Sequence, residues 1–130
     1  MSDTVTALRI ALDGQITEYT LGATRPEQAK VLARALLDTP EAIVALDSPG
    51  HTSIVVFAGL HRARHIPNLH ALLVQAELAD DFHLIEGPAV FAGITADGHL
   101  TSLPDEVAAF IRHTLRPDLA GIPVLIHLPL

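Results

Sequence analysis

Alternation of apolar and polar residues predicts a pair of strands at the start of the sequence. Residues 5–12 place large aliphatic side chains at every second position. Asp13-Gly14 then supplies a turn that favours positive φ, and residues 15–21 return as the second strand. The sequence therefore begins with a predicted β-hairpin.

Three later segments have the 3.6-residue period of amphipathic helices, and we predict helices over residues 25–37, 68–79 and 104–115. Each start has a proline and a residue able to cap free backbone N–H groups: Thr24, Asn68 and Ser102. Glu27 follows Thr24 by three residues, which is the spacing of a capping box. The predicted inward positions are Ala29, Leu32, Ala35, Leu36, then Leu69, Leu72, Leu73, Ala76, and finally Val107, Phe110 and Ile111.

The remaining apolar runs predict strands. Residues 42–46 and 53–58 are continuous apolar runs around the turn Ser48-Pro49-Gly50, which suits central strands covered on both faces. Residues 88–94 and 99–102 flank the turn Asp97-Gly98, and residues 121–128 predict a last strand. The order ββα-ββα-ββα-β predicts an α+β fold, a single domain over residues 1–130. We expect a mainly antiparallel sheet built from hairpins, with the three helices on one face.

Composition narrows the classes of function. Hydrophobic residues make up 49% of the chain and aromatic residues 4%, and the formal net charge is −7. We therefore expect no nucleic-acid binding, because it needs phosphate-neutralising charge or exposed rings. The chain has no cysteine, which fits a reducing cytoplasm. No apolar run approaches the roughly 20 residues of a membrane helix, so we expect no membrane contact.

Histidines form the first candidate site. His61, His65, His70 and His83 lie close in sequence to Asp80, Asp81 and Glu86. Imidazole and carboxylate together suit zinc or iron, which would make the protein a small metal-dependent hydrolase. No ordered ligand spacing is present, so the favoured interpretation is that these histidines cap, line a loop or face solvent. We therefore expect no cofactor.

Charged residues give two further candidates. Arg62 and Arg64, with Asn68 nearby, predict a site for an anionic small molecule, and a solvated loop is the favoured alternative. Carboxylates concentrate in the first half, where Asp38, Glu41 and Asp47 predict a surface for a basic protein partner. Ordinary solubility explains the same carboxylates more simply.

The first hairpin and four later motifs carry a resemblance to a known family. The hairpin is the strand with Asp-Gly and an acidic return over residues 8–21. The later motifs are Ile66-Pro67-Asn68-Leu69-His70-Ala71, Ile85-Glu86-Gly87-Pro88-Ala89-Val90-Phe91-Ala92-Gly93, Asp97-Gly98 and Leu103-Pro104-Asp105. In this order they resemble the small phage- and plasmid-borne proteins catalogued as domain of unknown function three-eight-four-six. The resemblance implies an accessory protein of a mobile element and names no activity.

The leading hypothesis is therefore a cytoplasmic accessory protein of a phage or plasmid that acts by protein–protein interaction, with catalysis not expected. A protein partner is predicted, and self-association as a homodimer is left open. The metal-dependent hydrolase and the anionic-ligand domain are the alternatives.

Overall fold

The computed structural model describes residues 4–46, 53–61, 66–79 and 83–115. The described elements, in chain order, are β1 (Thr6–Ile10), β2 (Ile16–Thr20), α1 (Arg25–Leu36), β3 (Pro40–Leu46), β4 (Ser53–Gly59), α2 (Leu69–Ala79), β5 (Ala89–Ile94), β6 (Leu100–Thr101) and α3 (Asp105–Thr114). Three helices with an antiparallel sheet confirm the predicted α+β class. The turn at 48–50 and the strand at 121–128 lie outside the described residues.

The described strands form one antiparallel sheet in the order β2-β1-β5-β4-β3. β6 pairs with the last residues of β5, beyond the stretch of β5 that pairs with β1. The continuous apolar runs of β4 and β5 are buried as predicted for central strands. β3 is different, because it is the outermost described strand and Ala42 and Ala45 are exposed. Its prediction as a covered central strand was wrong.

Helices cover both faces of the sheet, so the prediction that they share one face was also wrong. Alternation along β5 sends Phe91 into a cluster with α2 and α3, and sends Val90 and Ala92 into a second cluster with α1. Arg9, on the α1 side of β1, donates from Nε to the Ala35 carbonyl at 2.7 Å. A cation at the last turn of α1 complements the helix dipole and fixes the helix on this face.

The helix starts follow the predictions in two cases of three. The Thr24 hydroxyl accepts from Glu27 N–H at 3.3 Å, and the Glu27 carboxylate accepts in return from Ala23 N–H. Asn68 Oδ1 accepts from Ala71 N–H at 3.0 Å, which caps α2. Ser102 does not cap α3, because its hydroxyl instead accepts from Thr6 N–H at 3.0 Å. Ser102 therefore joins β1 to the segment that leads into α3.

The inward faces of the helices differ from the predicted stripes in three places. Ala29 of α1 is exposed and Phe110 of α3 is only half-buried. In α2 the buried residues are His70, Ala71, Val74 and Gln75, and none of the four predicted inward residues is among them. α2 is apolar nearly all round, so its sequence pattern alone does not determine which face of the helix is buried.

Two buried side-chain amides orient α2. Asn68 Nδ2 donates to the carbonyls of Ile10 and Gly87, both at 2.9 Å. Gln75, two turns later, donates to the His83 carbonyl at 3.0 Å and accepts from His83 N–H at 2.9 Å. Because buried amides must be satisfied, these bonds turn Asn68 and Gln75 inward and move the predicted leucines toward the side.

Two turn glycines allow a test of the packing beneath the first hairpin. Gly14 and Gly98 have φ of +87° and +85°, but only a Cβ on Gly14 would meet a neighbour, His70 Cδ2 at 2.7 Å. We expect Gly98→Ala to lower the free energy of unfolding by about 1 kcal/mol through the left-handed backbone alone. Gly14→Ala should lower it by about 1–3 kcal/mol more, because the His70 ring must move. Urea unfolding measures both, and equal losses would contradict the described contact.

The Asn68 amide gives a second stability test. Asn68→Ala leaves the two carbonyls and the Ala71 N–H without a partner in the core, so the free energy of unfolding should fall by about 3 kcal/mol or more. Asn68→Asp keeps an acceptor for Ala71 but loses both donors, and we expect a comparable loss at neutral pH. Chemical denaturation measures both variants. A loss below about 1 kcal/mol would show that solvent replaces these bonds.

Candidate functional site

Most of the predicted site residues in the described chain gather at one end of the sheet. Ile10 at the end of β1 pairs with Ala89 at the start of β5, and Pro40 at the start of β3 pairs with Gly59 at the end of β4. The connections that carry Asp38, His61 and Asn68 therefore leave or enter the sheet at the same end, and His70 follows in the first turn of α2. We call this the loop end.

At the β3–β4 side of the loop end, Asp38 and His61 form a bonded pair. His61 Nδ1 donates to Asp38 Oδ1 at 2.7 Å, and the His61 backbone N–H donates to Asp38 Oδ2 at 2.7 Å. The side chain of Asp38 is 12% exposed and that of His61 is 78% exposed. Asp38 thus serves as the inner anchor, and His61 presents its ring to solvent.

The local chain geometry makes this pair possible. Asp38 follows the end of α1, and Leu60 N–H donates to the Thr39 carbonyl at 2.7 Å, so the two connections run side by side. Gly59 leaves the space that Asp38 occupies, since a Cβ there would lie 2.6 Å from Asp38 Oδ2. The pair therefore depends on a glycine at the last position of β4.

Hydrogen bonding sets the charge state of the Asp38 carboxyl. The side-chain bond from His61 is the main cause that lowers the pKa of Asp38 below its ordinary 3.8, with further help from the backbone N–H groups of His61 and Thr39. Because a carboxylate accepts from Nδ1, that nitrogen carries a proton. Nε2 lies on the other side of the ring from Asp38, so a base or ligand function of His61 would use Nε2.

His70 occupies a different environment, under the β1–β2 turn. It is buried, and its Nδ1 donates to the Leu12 carbonyl at 3.2 Å. Its Nε2 is also buried and has no partner among the described residues. An approaching metal ion cannot reach this nitrogen without displacing the turn at Gly14, so His70 packs the hairpin onto α2.

The predicted metal cluster is not brought together in the described part of the chain. No group of three or more His, Asp or Glu residues in the described ranges has metal-binding geometry. His61 lies on Asp38, His70 lies under the hairpin, and the backbone of His83 is held by Gln75. His65 lies outside the described residues.

The other predicted site residues are also spread over different places in the chain and do not form one site. Asn68 is fully buried and its amide makes three hydrogen bonds to backbone groups, so it supports the fold beneath the surface. Asp38 is engaged with His61, and Glu41 lies in β3 opposite Ala58. Arg62, Arg64 and Asp47 lie outside the described residues.

Apolar side chains at the loop end were missed by the sequence analysis. The exposed large hydrophobic residues of the described chain all lie in connections or at the first residue of a helix: Leu12, Leu37, Leu60, Ile66, Leu69 and Leu84. A cluster of exposed apolar residues marks an interaction surface more strongly than scattered ones do. Leu37 and Leu60 flank the Asp38–His61 pair along the chain.

Leu37 is the most exposed of these residues and has an unusual backbone. It is 82% exposed and has φ 56° and ψ 35° at the end of α1, where glycine is the usual residue. The left-handed conformation costs an L-residue about 1–2 kcal/mol. The available signal was the absence of glycine between the helix pattern and Asp38-Thr39-Pro40.

No protein-family model, curated protein or solved structure matches this chain. The resemblance to domain of unknown function three-eight-four-six therefore stays a prediction. In the described ranges, no helix has the length and apolar content needed to cross a membrane.

The Asp38–His61 pair predicts a specific acid dependence of stability. The pKa of Asp38 is lower in the folded chain than its ordinary 3.8. Its contribution is therefore fully present above 3.8 and is lost as the pH falls through the folded value. Asp38→Asn should lower the melting temperature at neutral pH and reduce the further fall below pH 3.8.

Asp97→Asn is the matched control for this measurement, because Asp97 is exposed at the tip of the β5–β6 hairpin. It should keep the acid dependence of the original protein. His61→Ala should behave like Asp38→Asn, since it removes the main cause of the lowered pKa. If Asp38→Asn and Asp97→Asn have the same profile, the pair does not stabilise the fold.

Proposed function

We propose that the protein is an accessory protein of a phage or plasmid that acts in the cytoplasm by protein–protein contact, without catalysis. The contact surface in this proposal is the corner of the loop end formed by Leu37, Leu60 and His61. The family resemblance, the negative net charge and the absence of cysteine are consistent with it.

Leu37 is the observation that carries the proposal. Glycine at this position would avoid the left-handed strain, and a polar side chain would avoid exposing aliphatic surface. Leu37 has both disadvantages, so it lowers the stability of the free protein. Strain of this kind persists where the strained residue has a function, and an exposed leucine functions by burying itself against another surface.

The surroundings of Leu37 favour an apolar contact over a charged one. The Asp38 carboxylate is directed inward and bonded to His61, so it does not offer an open negative charge beside Leu37. Leu60 follows Gly59 on the neighbouring connection and is half exposed. A partner with an apolar surface of its own fits this corner better than the basic partner expected from Asp38, Glu41 and Asp47.

The alternative of a metal-dependent hydrolase has no comparable support in the described residues. Of its four predicted ligands, His61 and His70 have their Nδ1 atoms bonded to an aspartate and to a backbone carbonyl. Within the described ranges, neither histidine belongs to a group of three residues that could hold a metal ion.

Leu37→Gly separates stability from binding. The substitution relieves the left-handed strain, so the melting temperature should rise and the free energy of unfolding should increase by about 1 kcal/mol. The same change removes the apolar side chain, so partner binding should weaken, and Leu60→Ser should weaken it further. Thermal unfolding and quantitative capture from the host lysate, with each variant as bait, measure the two effects.

Leu37→Met is the matched control, since it keeps an exposed apolar side chain and the strain at the same position. It should retain both the original stability and the original partner. A partner that is captured equally by the original protein, Leu37→Gly and Leu60→Ser would contradict the proposed surface. A partner that is a second copy of this chain would appear as a dimer in gel filtration that Leu37→Gly dissociates.

A further inference from the structure

The face of the sheet opposite α2 and α3 has a groove that the single helix α1 does not fill. Its volume is about 340 Å³, within the range of about 300–1,000 Å³ typical of small-molecule sites. The helix side of the groove presents Arg25, Gln28, Ala29 and Leu32, which are spaced as one helical stripe. The strand side is apolar and includes Val55, Phe57, Ile94 and Leu100.

The groove has a polar end and an apolar end. Arg25 Nη2 lies 3.5 Å from His99 Nδ1, next to Leu100 of β6, so the start of α1 lies over the β5–β6 hairpin. Leu32 comes two turns later along α1 and belongs to the cluster against which Phe57 packs. Phe57 pairs with Val90, four residues along β5 from Ile94. The cation thus stands at one end of an apolar channel and does not lie in its middle.

Arg25 is placed against the local preference of the helix. It is the first residue of α1, where the dipole disfavours a cation by about 0.3–1 kcal/mol. Arg25 forms no ion pair with a carboxylate among the described residues. The Glu27 carboxylate is directed toward Ala23 N–H, from which it accepts at 3.3 Å. A guanidinium that lowers helix stability and has no acidic partner within the described part of the chain is available to an anionic group from outside.

The Arg25 guanidinium supplies the positive charge at this opening. The helix N-terminus itself is largely capped, because Pro26 has no N–H and Glu27 N–H donates to Thr24 Oγ1 at 3.3 Å. Gln28 is buried one turn later, with its Nε2 held by the Gly22 carbonyl at 3.2 Å. This bond ties the first turn of α1 to the segment that precedes the helix.

We propose that this groove binds a small amphipathic carboxylate, with the carboxylate on Arg25 and the apolar body between α1 and the strands. The apolar lining accounts for affinity by burial of the chain or ring of the ligand. The bidentate guanidinium accounts for selection of a carboxylate over an uncharged head group. The site is separate from the loop-end surface, so either proposal can fail alone.

Octanoate and 1-octanol are matched probes for the full chain, because they share the chain length and differ in the head group. Octanoate should bind more tightly, and it should shift the methyl NMR signals of Leu32, Val55, Ile94 and Leu100. Arg25→Gln should weaken octanoate binding about tenfold, the value of one charge-assisted contact, and leave 1-octanol unaffected. Lys30→Gln, on another face of α1, is the control and should change neither affinity.

A second variant tests the groove itself. Ala29 is exposed in the helix stripe, so Ala29→Phe should fill the channel and abolish binding of both probes without lowering the melting temperature. Equal affinity for the two probes, equal effects of Arg25→Gln and Lys30→Gln, or NMR shifts confined to other residues would overturn the proposal. Failure of the full chain to bind octanoate would overturn it as well.

Discussion

The buried amide of Asn68 joins the parts of the structure that the chain itself keeps apart. Its side chain and backbone bind the end of β1, the carbonyls of Ile85 and Gly87, and the first turn of α2. Each of these backbone groups would otherwise be buried without a partner, which costs about 1–3 kcal/mol per group. The position of α2, and with it the packing of His70 under the hairpin, depends on these bonds.

Local signals predicted the elements well because they act over a few residues. Asp13-Gly14 and Asp97-Gly98 form the expected turns, with Gly14 and Gly98 at positive φ, and Thr24 caps α1. Each of these features depends on the conformation of adjacent residues, which a sequence displays directly. The α+β class could therefore be predicted, together with most element boundaries.

The faces of the elements and the candidate site could not be predicted in the same way. Arg9 reaches Ala35 across 26 residues, and Asp38 meets His61 across 23. Neither local sequence pattern indicates which distant group will accept the hydrogen bond. The rotation of α2 has the same origin, because Asn68 and Gln75 each bond to backbone groups of segments that precede or follow the helix. Histidines close in sequence accordingly ended in separate environments.

The two ends of α1 show where the sequence departs from what helix stability favours. Arg25 puts a cation at the positive end of the helix dipole. Leu37 puts an exposed aliphatic side chain at a left-handed position, where glycine would have a lower conformational free energy. The rest of the helix follows the rules, with Thr24 as cap, an acidic residue in the first turn and a basic one in the last. A sequence that is consistent elsewhere tolerates such conflicts chiefly where the side chain has a role outside the helix. In our two proposals, that role is to bind an anion at one end and an apolar surface of a partner at the other.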